Sequence, residues 1–514
     1  MNCAQEKQAK NTSRRRFIAS AAAATLGSVA ARATAAMLPA SAPTVHVRKR
    51  PLNVLFFMSD DMRPELGCYS SRFGVESPNI DRLASESIRF DRNYCQFPLC
   101  NPSRSSMFTG HTPLATRVLG NSTSVRNLHP DWTTLPQLFR ESGYTTLRAG
   151  KLFHAGLDDH KAWSDFDGDA ESLHPTQEGK RFDFPRARIP QPDGALPVLA
   201  ADNQRAAHSD QILILDGNGE GAGDYLVADR AIQYLNQCKN EPFFIGCGFS
   251  KPHSPPTAPQ RFFDRIDPAA IELPPNFAAW PTLPQGFPKG SIRMRNADLF
   301  IGRGASTAEA QQVIRAYLAS ISWADWNLGR VMAELDRLNL RQNTAIVFVV
   351  DHGYHLGEWG KWSKAGSLFE YGTRIPLIIH LPEAHGNGRA STRIVQSLDI
   401  YRTLAELCHL DVPEGIEGRS LAPLLHWPDA EWSHPAFSIW SEDGSTVHGT
   451  TVRTDRYRYA EFGKPQTGVK PSEYSMLFDV HADPLERTNL ADREELQKTR
   501  AHLSTLIGEY GSST

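Results

Sequence analysis

Four short apolar runs along the chain each end in a cluster of polar residues. Asn53-Val54-Leu55-Phe56-Phe57-Met58 leads into Asp60-Asp61, Thr145 to Gly150 into Lys151 and His154, Pro242 to Gly248 into Lys251-Pro252-His253, and Thr344 to Val350 into Asp351-His352-Gly353. The runs are mostly apolar on both alternations and rich in Val, Ile and Phe, the pattern of strands covered on both faces in a parallel sheet with helices above and below. Helical periodicity lies between them, from Pro78 to Ser87 and from Ala308 to Leu338. The fold class is therefore α/β, in which ligands bind at the carboxyl ends of the strands. All four polar clusters fall at that edge. One such cluster alone reads as a solvated loop after a strand; four together read as one active site.

Two long stretches carry little periodicity. Gly156 to about Gly223 is rich in Asp, Gly and Pro, and Leu273 to Gly290 is Pro-rich; both predict lids or substrate-binding insertions without structure of their own. After about Trp432 the pattern changes to shorter strands at Thr451-Val452-Arg453, Tyr457-Arg458-Tyr459 and Leu477-Phe478-Asp479, then a final helix from about Asp492. This predicts a catalytic domain over 51–431 followed by a smaller α+β C-terminal domain over 432–514. Two motifs are set aside. The stretch from Asp216 to Gly221 opens like a calcium-binding EF-hand loop but has Val227 where a bidentate Glu is required, and Gly217-x-Gly219-x-x-Ala222 is too weak a dinucleotide fingerprint to stand alone.

A further segment, Leu99 to Gly110, reads Leu-Cys-Asn-Pro-Ser-Arg-Ser-Ser-Met-Phe-Thr-Gly. Pro102 suits a first helical turn, where a missing N–H costs nothing, and Arg104 then lies one turn from Cys100 on the same face. Cys100 thus sits at a positive helix end beside a fixed cation, a place that favours a thiolate or a bound oxyanion. An inert buried thiol is the competing reading of a lone cysteine.

The chain has 514 residues, with 55 basic against 57 acidic. That balance gives no global field for nucleic acid or a membrane surface, so anion recognition must come from a local cluster. At the N-terminus, Ser13-Arg14-Arg15-Arg16-Phe17-Ile18 precedes an Ala-rich run to about Val29 and the small-residue site Ala33-Thr34-Ala35. This is similar to a twin-arginine signal peptide over residues 1–35, with a linker over 36–50. The run is shorter and less apolar than the ~20 residues a membrane span needs, so no stable anchor is expected. The expected location is a bacterial periplasm or the exterior, with the twin-arginine translocase as a partner. Seven cysteines, Cys3, Cys68, Cys95, Cys100, Cys238, Cys247 and Cys408, show no paired spacing, which argues against a disulfide framework.

Asp60, Asp61 and Asp351 are hard oxygen ligands; with His352 and the side chain at Cys100 they suit one divalent cation, Ca²⁺ or Mg²⁺ rather than zinc. A helix cap at Asp60-Asp61 and a turn at Asp351 are the plainer alternative.

Cys-x-Pro-Ser-Arg followed by Thr109-Gly110 resembles the signature of type I sulfatases. In that family a formylglycine-generating, or sulfatase-maturating, enzyme oxidises the cysteine to Cα-formylglycine, whose hydrate is the nucleophile. The blocks Ser59 to Tyr69, Gly150-Lys151-Leu152-Phe153-His154, Lys251-Pro252-His253 and Asp351-His352-Gly353 resemble those of iduronate-2-sulfatases, and similarity extends over about 51–510. The resemblance implies an alkaline-phosphatase-like sulfatase fold, a large, mostly parallel sheet between helices, and hydrolysis of sulfate monoesters on a sulfated uronic acid or other carbohydrate. It further implies Asp60, Asp61, Asp351, His352 and residue 100 as calcium ligands, Arg104 and Lys151 on the hydrate and sulfate, and His154 as the base that lets sulfate leave. His253 and Lys364 would bind sulfate and protonate the leaving oxygen. Tyr354 keeps one aromatic of the iduronate-specific members, whereas Ala365 replaces the other, so sulfate chemistry is implied more firmly than iduronate. The alternative from the same superfamily is a phosphonate or phosphate ester hydrolase.

Overall fold

Each of the four apolar runs is a strand, and the four lie side by side. In the computed structural model, which describes residues 51–164, 180–181, 189–192, 197–463 and 468–512, the strands are β1 (Asn53–Asp60), β2 (Ile88–Tyr94), β3 (Thr145–Gly150), β4 (Lys180–Arg181), β5 (Leu213–Leu215), β6 (Phe243–Pro252), β7 (Thr257–Pro259), β8 (Thr344–Val350), β9 (Arg374–His380), β10 (Ala390–Gln396), β11 (Ala436–Trp440), β12 (Gly449–Arg453), β13 (Tyr457–Glu461) and β14 (Ser475–Asp479). The signal segment and linker expected over residues 1–50 lie outside the described residues.

A seven-stranded sheet runs in the order β10-β2-β9-β8-β1-β6-β3. β1 is parallel to both β6 and β8, and β3 is parallel to β6, so the ends of all four runs meet at one edge. The sheet is mixed because β9 runs antiparallel to β8 and β2. Every residue of β1 and β8 is buried, as strands with both faces covered require. The helix Gly223–Cys238 packs on β3 and β6, and the 31-residue helix Thr307–Arg337 packs on β6. A reciprocal pair at Ser306 and Glu309 caps the longer helix, satisfying N–H groups that the first turn leaves free.

Glycine is demanded where β3 turns into the site. Gly150 has φ +76°, and a Cβ there would stand 2.2 Å from Gly248 O. This close approach lets Lys151 N donate to Gly248 O (2.9 Å), which locks the start of the Lys151 segment to β6.

Two features differ from the sequence expectation. Strands β2, β9 and β10 complete the sheet, although β2 reads Ile-Arg-Phe-Asp-Arg-Asn-Tyr with only part of its length buried. The stretch 156–223, expected to lack structure of its own, contains in its described part the helix Ala200–Ser209 and the strands β4 and β5, which join β7 in a small sheet. The Pro-rich stretch 273–290 is irregular as expected, apart from a bridge between Phe277 and Glu358.

The last part of the chain folds as the antiparallel sheet β11-β12-β13-β14, with the helix Gln497–Ser512 laid on it through Leu503 against Val452, Tyr459 and Leu477. Buried charges tie this sheet to the helical turn Glu370–Thr373 that leads into β9. Arg458, 1% exposed, reaches Glu486 (2.6 Å) and Glu370 (2.8 Å), and Arg453 meets the same Glu370 at 2.7 Å. Breaking such a buried pair typically costs about 3–5 kcal/mol because the remaining charge is left without compensation.

Candidate active site

The segment around Cys100 forms the helix Cys100–Thr109, with all ten residues buried. Leu99 at the N-cap has no side chain to cap the first turn; instead Asn101 N donates to Asn121 Oδ1 (3.1 Å), and Asn101 Nδ2 donates to Gly120 O and Thr123 O (both 2.8 Å). Gly110, in the left-handed region at φ 68°, closes the helix by donating to Ser106 O. Cys100 is therefore the first residue of a helix whose first turn is laced to the segment 120–123, with its side chain at the positive end of the backbone dipole.

Arg104 fixes the geometry one turn further on. Its Nε donates to Asp351 Oδ2 (2.8 Å), Nη2 lies 2.8 Å from the same oxygen and 3.4 Å from Asp60 Oδ2, and Nη1 donates to Lys151 O and Leu152 O. One fully buried guanidinium thus joins the ends of β1, β3 and β8.

Around it converge the residues expected from the sequence. His352 Nε2 lies 3.2 Å from Cys100 Sγ, 3.4 Å from Asp351 Oδ2 and 3.8 Å from Asp60 Oδ1, while its Nδ1 is 3.1 Å from Asp61 Oδ1. Asp60, Asp61, Asp351 and His352 are all 0% exposed. Asp60, Cys100, Asp351 and His352 each bring a ligand atom within 4.8 Å of the others, as do Asp60, Asp61 and His253. Lys151 Nζ pairs with Asp60 Oδ2, Lys364 Nζ with Asp61 Oδ2 (3.0 Å) and Asp298 Oδ1 (3.4 Å), and His253 Nε2 lies 3.7 Å from Asp61 Oδ2.

This donor set fits a hard divalent cation. Three carboxylates and an imidazole gathered without water access would be costly unless matched by positive charge, and Asp61 Oδ1 accepts no hydrogen bond among the described residues.

The electrostatics separate the groups into roles. Burial and the Asp60 carboxylate push the Cys100 thiol up, but Lys151, Lys364 and His352 outweigh them and hold it at about 7. Burial, then Lys151 and Arg104, press the His154 ring down to about 4, so it is neutral near pH 7. His253 shifts the other way: burial and Lys364 oppose its charge, yet Asp61, Asp60 and Cys100 carry it above its ordinary value. A pair of groups pushed apart in this way is the pattern of a base and an acid.

Tyr354 is placed differently from the rest. Its hydroxyl donates to Trp362 O (2.8 Å) and its ring stacks on Tyr317 at 5.7 Å, so the side chain is committed to the core. Ala365 is buried beside Leu368 and Trp440. Sequence reasoning missed Lys251 as more than a neighbour of His253, although its Nζ donates to His253 O (3.1 Å) and Pro255 O (3.0 Å) and so holds the loop that carries that ring. It also missed Asp298, which stands in an irregular stretch with no motif.

This is the fold of the alkaline-phosphatase-like sulfatases. Two solved structures share it: BT4656 in complex with its substrate D-glucosamine-2-N,6-O-disulfate (TM-score 0.65, 22% identity, covering 90% of this chain and 97% of that one), and the phosphonate monoester hydrolase of Agrobacterium radiobacter (TM-score 0.69, 20% identity, covering 90% and 95%). In sequence, residues 52–410 match the sulfatase family and residues 357–511 match the C-terminal region of N-sulphoglucosamine sulphohydrolase. The iduronate 2-sulfatase of Homo sapiens is 31% identical over 523 residues, covering 85% of this chain and 91% of that protein. The chain belongs to the sulfatase family and is a sulfuric ester hydrolase.

Proposed function

We propose that the chain hydrolyses a sulfate monoester on a sulfated carbohydrate, of the uronic-acid kind that the iduronate 2-sulfatase relative suggests, with Cα-formylglycine at position 100 and one Ca²⁺ at Asp60, Asp61, Asp351 and His352. The observation that carries this reading is the convergence of Cys100, Arg104 and those four ligands in one water-excluded cluster. Oxygen-rich ligation favours Ca²⁺, with Mg²⁺ as the closest substitute. When present, the two groups supply a hydrated aldehyde as nucleophile and a divalent charge for the sulfuryl oxygens.

The remaining work falls to side chains of the chain itself. Arg104 and Lys151 hold anionic oxygen at residue 100, and their placement at the ends of three strands costs no reorganisation during reaction. Lys364 and His253 bind the sulfuryl oxygens, and His253, carried toward its charged form, donates its proton to the departing alcohol. His154, neutral near pH 7, accepts the proton whose removal frees sulfate. Residues 51–431 form the catalytic domain and 432–514 the C-terminal one. Export as a folded protein by the twin-arginine route, directed by residues 1–35, requires a maturating enzyme to oxidise Cys100 before the chain reaches the periplasm.

The test is a comparison of kcat/KM for sulfated uronic-acid disaccharides, an aryl sulfate and an aryl phosphonate monoester. The expected result is release of inorganic sulfate from a disaccharide and a preference for the sulfate over the phosphonate. A preference for the phosphonate would replace this reading with the alternative of the same superfamily.

A further inference from the structure

Lys364 Nζ bridges two buried carboxylates, Asp61 Oδ2 at 3.0 Å and Asp298 Oδ1 at 3.4 Å. Asp61 belongs to the cluster that would hold the metal, and a divalent ion there would draw on the same carboxylate that now holds the ammonium. Asp298 has no such second claim: it is 7% exposed, and its Oδ2 is buried with no hydrogen-bond partner among the described residues.

The backbone carrying Asp298 is fastened directly to the one carrying Lys364. Lys361 Nζ donates to Arg293 O (3.0 Å) and Arg295 O (2.9 Å). Asn296 Nδ2 donates to Gly360 O (3.1 Å), and its Oδ1 accepts from Trp362 N (2.9 Å). Leu299 N donates to Trp362 O (3.3 Å). Residues 293–299 and 360–364 are thus laced together on both sides of the Asp298–Lys364 contact.

We propose that Asp298 is the positioning residue for Lys364, the carboxylate that keeps its ammonium aimed at the sulfuryl oxygens once Asp61 is engaged by the metal. The proposal rests on the reading of Lys364 as a sulfate-binding group. A lysine head on a four-carbon stem has many rotamers open to it; a fixed carboxylate removes that freedom before substrate arrives, which is how a group held in place contributes to rate. Asp298 need not touch substrate for this.

A double-mutant cycle separates this role from a merely structural one. Wild type, Asp298→Ala, Lys364→Ala and the double variant are compared in kcat/KM for an aryl sulfate, with metal content and thermal unfolding measured for each; Asp298→Asn, which keeps the shape without the charge, serves as the second variant. The expected result is a loss of roughly 10-fold to 100-fold for Asp298→Ala in the wild-type background, the range for residues that orient a site group, but less than about 2-fold when Lys364 is already Ala, with metal content unchanged. Asp298→Asn is expected to fold and to show most of the same loss. Equal losses in both backgrounds, or a wild-type rate for Asp298→Asn, would overturn the proposal while leaving Lys364 in place. A wild-type rate for Lys364→Ala would instead remove the sulfate-binding role of Lys364, and this proposal with it.

Discussion

A His154→Ala variant is expected to release about one equivalent of alcohol per active site and then stall, with the sulfuryl group kept on the protein. The expectation follows from placement and charge. His154 belongs to the loop after β3, its ring is neutral near pH 7, and no cation-binding residue depends on it for a hydrogen bond among the described residues. On the proposed mechanism, removing it leaves the Asp60, Asp61, Asp351 and His352 cluster and Arg104 intact and deletes the base for the second half of the reaction. Loss of a positioned acid or base typically costs about 10²–10⁴-fold in rate. His253→Ala is expected to damage the first half instead, most for a sugar alcohol and least for nitrophenol, which leaves without a proton. A rapid-quench time course on both variants with nitrophenyl and sugar sulfates checks the division. No burst from the His154 variant, or equal damage by His253→Ala on both substrates, would contradict it.

The second large effect is expected at Asp351. Its Oδ2 accepts from Arg104, and its Oδ1 accepts from Asp61 N (3.2 Å) and His352 N (2.9 Å), so one carboxylate orders both the cation side and the arginine side of the cluster. Asp351→Ala strips Arg104 of its main partner, and the uncompensated buried charge is expected to destabilise the fold by about 3–5 kcal/mol. Asp351→Asn keeps the volume but turns an N–H₂ toward groups that are themselves donors. Both variants are expected to lose the bound metal and turnover together, measured by elemental analysis of the purified protein beside its activity and its circular dichroism. Asp61→Asn, whose carboxylate makes fewer contacts to the fold, is expected to lose metal with a smaller change in unfolding temperature. Full metal stoichiometry in a folded Asp351→Asn enzyme would show the ligand assignment to be wrong.

What the sequence disclosed, and what it hid, follows from range. The strands β1, β3, β6 and β8 were legible because strands covered on both faces are mostly apolar on both alternations, and the buried lengths of β1 and β8 bear this out. The start of the helix Cys100–Thr109 was legible from Pro102, a residue whose backbone preference is local. β2 was not, because Arg89 and Asp91 lie on its half-buried face and pair with each other at 2.7 Å, so its alternation reads as a polar loop. The helix Ala200–Ser209 was hidden for the opposite reason: among its residues only Asp202 is buried, which leaves no apolar stripe to detect. Side-chain direction is a tertiary property. Tyr354 was visible as an aromatic beside the Asp-His pair, but only packing against Tyr317 and Trp362 turns it into the core. Asp298 was invisible because its partner lies far along the chain and no motif surrounds it.

The central claim is that residue 100 works as an oxidised cysteine. Trypsin cuts after Arg92 and Arg104, so Cys95 and Cys100 fall in one peptide, residues 93–104. Active enzyme, unfolded, alkylated and digested, is expected to give this peptide with one alkylated cysteine, Cys95, and a hydrazine-reactive aldehyde at position 100, in a fraction that tracks specific activity across preparations. Full activity from protein in which both cysteines are alkylated would contradict it.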